Sequence, residues 1–148
     1  MRTLIKAGLL ATMLFTSAAW AQNASPVGLW KTIDDETGKP KALVRVTEEN
    51  GALQGKIEKL FRGPNEDQNP KCTACTDSRK NQPMIGMTIV SGLKKDGDEY
   101  TGGEILDPAK GKVYKSKATL RDGGQRLEVR GYIGAPMFGR SQVWHREG

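Results

Sequence analysis

Histidine and cysteine are almost missing from this chain, and most metal and nucleophilic chemistry goes with them. Among 148 residues there are one histidine and two cysteines. A structural zinc centre wants four ligands, and His145 lies far in sequence from Cys72 and Cys75. The single histidine removes most hydrolase triads, and no Gly-x-Ser-x-Gly elbow is present. The acids Asp34, Asp35 and Glu36 sit together, but they lack the alternating ligands and terminal bidentate Glu of a calcium loop. They read as a solvated turn. Aromatic residues make up only 6% of the chain, and none forms a stacking ladder among the bases. Nothing here calls for a catalytic residue, a metal or a cofactor, and the protein is expected to be non-enzymatic.

Long apolar runs are also scarce, with one exception at the N-terminus. Arg2 and Lys6 precede an apolar stretch from Ala7 to Phe15, and Ala19-Trp20-Ala21 offers small residues at the two positions a signal peptidase reads. The stretch is shorter than the roughly 20 residues of a membrane-spanning helix. Residues 1–21 are therefore expected to be a signal peptide cleaved before Gln22, leaving residues 22–148 as a single domain in the periplasm or the medium, with no membrane span. The net charge is +6, and two of the bases lie in that leader. The remainder is mildly basic. Its densest group is Lys110, Lys112, Lys115 and Lys117, which reads as a solvated face with weak attraction to polyanions or anionic lipid. Nucleic acid is not an expected partner of an exported chain with so mild a charge.

What fills the rest of the chain is strand. Short runs with a two-residue apolar period are separated by turn residues at intervals of about ten residues, the spacing of a meander. The first run is Val27 to Ile33. The second, Pro40 to Thr47, places Ala42, Val44 and Val46 on one face. Asn50-Gly51 is a strong hairpin signal, and Leu53, Gly55 and Ile57 alternate after it. A fourth run alternates Ile85, Met87 and Ile89. Glu99 to Leu106, Val113 to Leu120, Leu127 to Gly131 and Arg140 to Arg146 complete the set. Eight such strands close naturally into an antiparallel up-and-down barrel, which removes exposed edges and leaves an interior for side chains or one small ligand. A two-sheet sandwich is the alternative.

The segment from Phe61 to Met84 breaks this rhythm and carries Pro64, Pro70, Pro83 and both cysteines. Long irregular loops in compact domains are often functional lids; the other reading is a flap that plugs one end of the barrel. For Cys72 and Cys75 three readings stand. An oxidising compartment favours a disulfide. A redox dithiol would sit at a helix N-terminus, and no helical pattern follows. A metal site lacks further ligands.

The fifth run suggests a pocket. Tyr100, Gly102, Glu104 and Leu106 share one face, as do Arg140, Gln142 and Trp144 on the last run. With Tyr114 and Ser116 these would give an apolar wall with a few polar groups, the usual make-up of a ligand site. If Tyr100 and Leu106 point inward, Glu104 does too and needs a partner such as Arg140. If Ile105 points inward, Glu104 is solvated. A register slip of one residue exchanges the two faces.

Across its whole length after the leader, the chain resembles the domain of unknown function family 2147, a family of small secreted bacterial proteins. The resemblance rests on Gly28-Leu29-Trp30-Lys31-Thr32, Gly51-Ala52-Leu53-Gln54-Gly55-Lys56-Ile57, Cys72-Thr73-Ala74-Cys75, Gln82-Pro83-Met84-Ile85-Gly86 and Gly103-Glu104-Ile105-Leu106-Asp107-Pro108. It continues through Gly111-Lys112-Val113-Tyr114, Leu127-Glu128-Val129-Arg130-Gly131-Tyr132 and Gly139-Arg140-Ser141-Gln142-Val143-Trp144. It implies a lipocalin-like (calycin-like) barrel and export, and no established activity. In lipocalin-like barrels a Gly-x-Trp on the first strand lays an indole across the closed end, with a base from the last strand packed on it. Gly28 and Trp30 would hold those positions here as folding elements, with Arg146 the first candidate base and Arg140 the second. The leading expectation is a barrel that binds a small apolar or amphiphilic ligand. The alternatives are an envelope interaction or inhibitor module using the Cys72–Cys75 loop, and a thiol redox protein.

Overall fold

The computed structural model describes residues 25–148, together with Gly8, Ala11 and Thr12. The expected leader and its cleavage site otherwise lie outside the described residues. Eight strands follow one another along the chain: β1 (Gly28–Ile33), β2 (Pro40–Glu49), β3 (Ala52–Leu60), β4 (Thr88–Asp96), β5 (Glu99–Asp107), β6 (Lys112–Arg121), β7 (Arg126–Tyr132) and β8 (Gly139–Arg146). Each pairs antiparallel with the next, and β8 returns to β1, so the sheet is a closed barrel in sequence order. The sandwich alternative is excluded. The long segment with both cysteines lies between β3 and β4, as expected.

Alternation builds the core. Ala42, Val44 and Val46 from β2, Leu53 and Ile57 from β3, and Leu127 and Val129 from β7 are all buried. They are the apolar members of the two-residue patterns in the sequence, turned inward by the pleat. The fourth strand departs from its pattern. It begins at Thr88, and Ile85 is exposed. The Gly86 N–H donates to the Ile57 carbonyl, and the Ile57 N–H donates to Met87. These two bonds enter the ladder irregularly, so the alternation of Ile85, Met87 and Ile89 does not mark a strand of that extent.

The fifth strand departs more consequentially. Tyr100 pairs with Ala118, but the next matched pair is Gly103 with Ser116. β5 therefore holds one residue more than β6 between these pairs, a β-bulge. Gly102 takes φ +74° there, a conformation that glycine adopts without steric cost. The extra residue exchanges the faces beyond it. Gly103 and Ile105 follow Tyr100 on the inner face, and Glu104 is exposed. The reading that put Glu104 inward with Tyr100 and Leu106 is thereby corrected.

One end of the barrel is shut by Trp30. Its side chain is fully buried, and its Nε1 donates to the Pro26 carbonyl at 2.7 Å. Arg146, paired with Trp30 across the β1–β8 seam, lays its guanidinium 4.4 Å from the indole centroid. The same guanidinium donates to the carbonyls of Gly124, Val27 and Ser25 at 2.7, 3.0 and 2.6 Å. Burial pulls its pKa below the ordinary value, yet an arginine keeps its charge. Gly28 is required by close approach, since a Cβ there would lie 2.5 Å from both Arg146 Nη1 and the Gly148 carbonyl oxygen.

The closed end sets a stability test. Trp30→Ala should cost about 3–5 kcal/mol as a buried aromatic truncation. Arg146→Ala should cost about 2–3 kcal/mol, from the ring contact, stem packing and charge-assisted hydrogen bonds. Because the two residues share a contact, the double mutant should lose less than the sum. Urea denaturation of the three variants measures the coupling; strict additivity would mean that the ring and the guanidinium do not support each other.

Candidate functional site

At the opposite end the barrel is open. A cavity of about 620 Å³ runs in between the β1–β2, β5–β6 and β7–β8 turns. Its wall is apolar: Val44 from β2, Ile57 from β3, Ile89 from β4, Ile105 from β5, Val129 from β7 and Trp144 from β8. Gly131 leaves room beside Tyr114 and Ile105. The rim is charged, with Asp34, Asp35, Glu36, Lys41, Asp107, Lys110 and Arg140. The volume falls within the range of about 300–1,000 Å³ typical of ligand pockets.

Of the residues that the sequence nominated, Tyr114, Arg140, Gln142 and Trp144 do line this cavity. Glu104, Tyr100 and Ser116 do not. Glu104 lies on the outer surface for the reason given above; Arg79 of the long loop has its pKa raised chiefly by its hydrogen bond to Asp77, with a smaller contribution from the charge of Glu104. Tyr100 faces a shallower depression at the closed end with Lys95, Asp98 and Leu120, and burial pushes its phenol up, helped by the nearby charge of Glu48. Ser116 is fully buried opposite Gly103 and Gly131, and its hydroxyl has no partner among the described residues. It sits one inward position deeper than Tyr114. The apolar wall was not nominated, although its signal was the strand alternation itself.

The rim holds a feature that the sequence reading missed. β1 and β8 match only at Trp30 with Arg146 and Lys31 with His145. Towards the mouth the seam passes to side chains. Gln142 Nε2 donates to Asp35 Oδ2 at 3.2 Å, Arg140 Nη2 lies 3.5 Å from the same oxygen, and Trp144 Nε1 donates to Gln142 Oε1 at 3.4 Å. Asp35 is thus a bridge from the β1–β2 turn to β8 and not merely a solvated turn residue. Asp34 has a different task. Its Oδ1 accepts the N–H groups of Glu36 and Thr37, both at 2.9 Å, and these bonds hold its carboxyl below the usual range.

The long loop neither covers nor plugs the cavity. Residues 61–88, all described, contribute nothing to its lining. The loop instead folds on itself beside the barrel. Lys71 bridges to Pro83, the Cys72 N–H donates to Gln82 and the Asn81 N–H donates to Cys72. Cys72 and Cys75 form a disulfide-capable pair with Cα atoms 5.4 Å apart, and both are fully buried. Cys72 Sγ lies 3.5 Å from the Pro108 carbonyl of the β5–β6 turn. Arg79 ties the loop to β4 by donating to the Thr88 carbonyl at 3.0 Å, and it is itself paired with Asp77.

The Asp77–Arg79 pair gives a pH test of this loop. Hydrogen bonds from the Arg79 side chain and backbone hold the Asp77 carboxyl at about 2, below its ordinary 3.8. A depressed carboxyl contributes stability that is present above the unfolded value and is lost as pH falls through the folded one. The loop contacts should therefore persist through pH 4 and loosen only as the pH approaches 2. Carboxyl-detected NMR titration should follow Asp77, and Arg79→Gln should return it towards the ordinary range. An Asp77 that titrates near 3.8 in the unaltered protein would contradict the pairing.

With this geometry in hand, comparison with known proteins adds a fold and a family. A solved structure described as protein HP1028 from the human pathogen Helicobacter pylori, belonging to the lipocalin family, is similar to this chain with a TM-score of 0.70 at 20% sequence identity, covering 84% of each chain. At that identity the likeness concerns the fold. No curated protein matches the chain. The model of the family described as "Uncharacterized protein conserved in bacteria (DUF2147)" matches residues 28–146, a span that begins at the first residue of β1 and ends at the last of β8. The chain therefore belongs to the DUF2147 family, and its barrel is lipocalin-like.

Proposed function

We propose that this protein is exported and works without catalysis, binding one small apolar or amphiphilic molecule inside the barrel. The observation that carries this reading is the cavity: an apolar wall of strand side chains, open at one end, with polar groups gathered at the rim. An apolar body would sit against Val44, Ile57, Val129 and Trp144, and a polar head would meet Lys41, Lys110 or Arg140. Burial of apolar surface supplies the attraction, and the few polar groups fix orientation. A barrel filled with side chains would have favoured the interaction-module reading instead. The redox reading is weakened by the cysteines. Reactive thiols sit in partly exposed, electropositive places, whereas both sulfurs here belong to fully buried residues.

Binding is tested by titration with an apolar, environment-sensitive dye and with a single-chain amphiphile, using fluorescence of the dye and of Trp144. Ala42 lines the cavity and is small, so Ala42→Phe should fill it. The expected result is at least about tenfold weaker binding, a loss of roughly 1.4 kcal/mol, in a barrel that still melts cooperatively. Unchanged affinity in that variant would place the ligand elsewhere.

Export and the disulfide are tested on native material. The N-terminus should be Gln22 or a residue or two from it, in the periplasmic fraction; recovery of Arg2 or Thr3 by N-terminal sequencing would refute export by cleavage. Cys72 and Cys75 should be oxidised. Replacing both by serine should loosen the loop while leaving the barrel folded, because so short a crosslink contributes only about 2 kcal/mol by the entropy model.

A further inference from the structure

We propose that the β7–β8 turn docks the open end of the barrel on an anionic lipid surface, so that the cavity mouth faces the bilayer. Hairpin tips normally carry Gly, Asn, Asp, Ser or Pro. This one has its Gly134 and Pro136, but surrounds them with Ile133, Met137 and Phe138. Ile133, Met137 and Phe138 are 67%, 76% and 68% exposed. Val113, near the start of the neighbouring strand β6, is exposed as well. Clustered exposed apolar side chains mark an interaction surface, and Ile133 and Phe138 also touch the cavity rim.

The exposure is built into the turn. Arg130 reaches along it from β7, with Nε donating to the Pro136 carbonyl at 2.6 Å, Nη2 to Gly139 at 3.2 Å and Nη1 to Ser141 Oγ at 3.0 Å. The Ile133 N–H donates to Phe138, and the Phe138 N–H donates to Ala135. These bonds fix the backbone of the turn and so hold Met137 at its tip, with Ile133 and Phe138 at the cavity rim.

Charge identifies the occupant. Lys110, Lys112 and Lys115 are exposed on and beside the adjoining end of β6, and none has a carboxylate partner among the described residues. The mouth also carries the charges of Asp34, Asp35, Glu36 and Asp107 against Lys41, Lys110 and Arg140, and the exposed Lys112 and Lys115 beside it tip that balance to positive. Asp34 and Asp107 accept turn N–H groups, and Asp35 faces Gln142 and Arg140. Glu36 stands on the β1–β2 turn. An apolar tip bordered by lysines fits the boundary between acyl chains and anionic headgroups. A second protein fits less well, since a stable interface buries about 800 Å² on each partner and a single turn offers less. The inference rests on the exposed turn and its lysines and holds whatever the cavity contains.

The test reads the tip locally in the processed chain that begins at Gln22, free of the apolar Ala7–Phe15 stretch. A nitrobenzoxadiazole label introduced through Met137→Cys reports the polarity at the turn, and the same label through Asp98→Cys, on the β4–β5 hairpin at the other end of the barrel, is the reference. With phosphatidylglycerol vesicles the Met137 label should brighten severalfold and shift to the blue, while the Asp98 label stays in water. Phosphatidylcholine vesicles, or Lys110→Gln with Lys112→Gln and Lys115→Gln, should weaken the response at least about tenfold. Unlabelled Met137→Asp, followed by co-sedimentation with phosphatidylglycerol vesicles, should lose docking yet leave dye binding in the cavity unchanged, since Met137 does not line it, which separates this proposal from the ligand reading. A Met137 label that stays in water on phosphatidylglycerol, or equal responses at the two positions, would overturn it. So would brightening without lipid that grows with protein concentration and tracks a dimer in sedimentation, which would assign the turn to a second copy of the chain.

Discussion

The seam at which the barrel closes is anchored at its shut end by the contact between Trp30 and Arg146. An up-and-down sheet of eight strands has one seam where its ends meet, and here that seam has only two matched residue pairs, both at the shut end. The indole fills the space inside the strands, and the guanidinium lies over it while satisfying three backbone carbonyls. A partly buried cation is held at little cost when its donors are engaged; here they are, and the same bonds tie the chain before β1 and the β6–β7 connection to the last strand. Gly28 is bare so that this can happen.

Placing closure at one end releases the other. With its ladder spent, the seam near the mouth is spanned by Asp35, Gln142 and Arg140, and the cavity reaches down between walls that side chains do not fill. Two backbone choices help to shape the interior. The bulge at Gly102 turns Gly103 and Ile105 inward and sends Glu104 out, which spares the interior a carboxylate. Gly131 then leaves space opposite Ile105 and Tyr114. The result is an apolar cavity with charge confined to its rim, the condition under which an amphiphile gains from burying its body and keeping its head in water.

The long loop shows how a conspicuous sequence feature can stand apart from a site. Its prolines and cysteines suggested a lid or a plug, and its length permitted either. The loop satisfies its own backbone through short-range bonds and leans on the β5–β6 turn, so it borders the barrel without entering the mouth. The turn that does project at the mouth, from Ile133 to Phe138, is short and carries no cysteine. Its apolar tip gains meaning only beside the cavity and the lysines of β6.

Sequence alone determined the strand meander and the position of the cysteine loop, through a two-residue apolar period broken by turn residues such as Asn50-Gly51. The closed barrel was one of two architectures the meander allowed, and the Trp30 contact with a base of the last strand was implied by the family resemblance; the closed sheet chose the barrel, and Arg146 over Arg140. Four of the seven nominated ligand residues reached the cavity because β6 and β8 keep regular alternation through Tyr114 and from Arg140 to Trp144. The three that did not reach it show what tertiary structure decided. Glu104 was lost to a bulge, which is invisible to a period of two until the partner strand is known. Tyr100 lies on the inner side but beyond the bulge, at the closed end. Ser116 points inward yet sits too deep to border the open space. Facing can be read along one strand, but depth in a barrel depends on the stagger between strands, and that is set only when all eight pair at once.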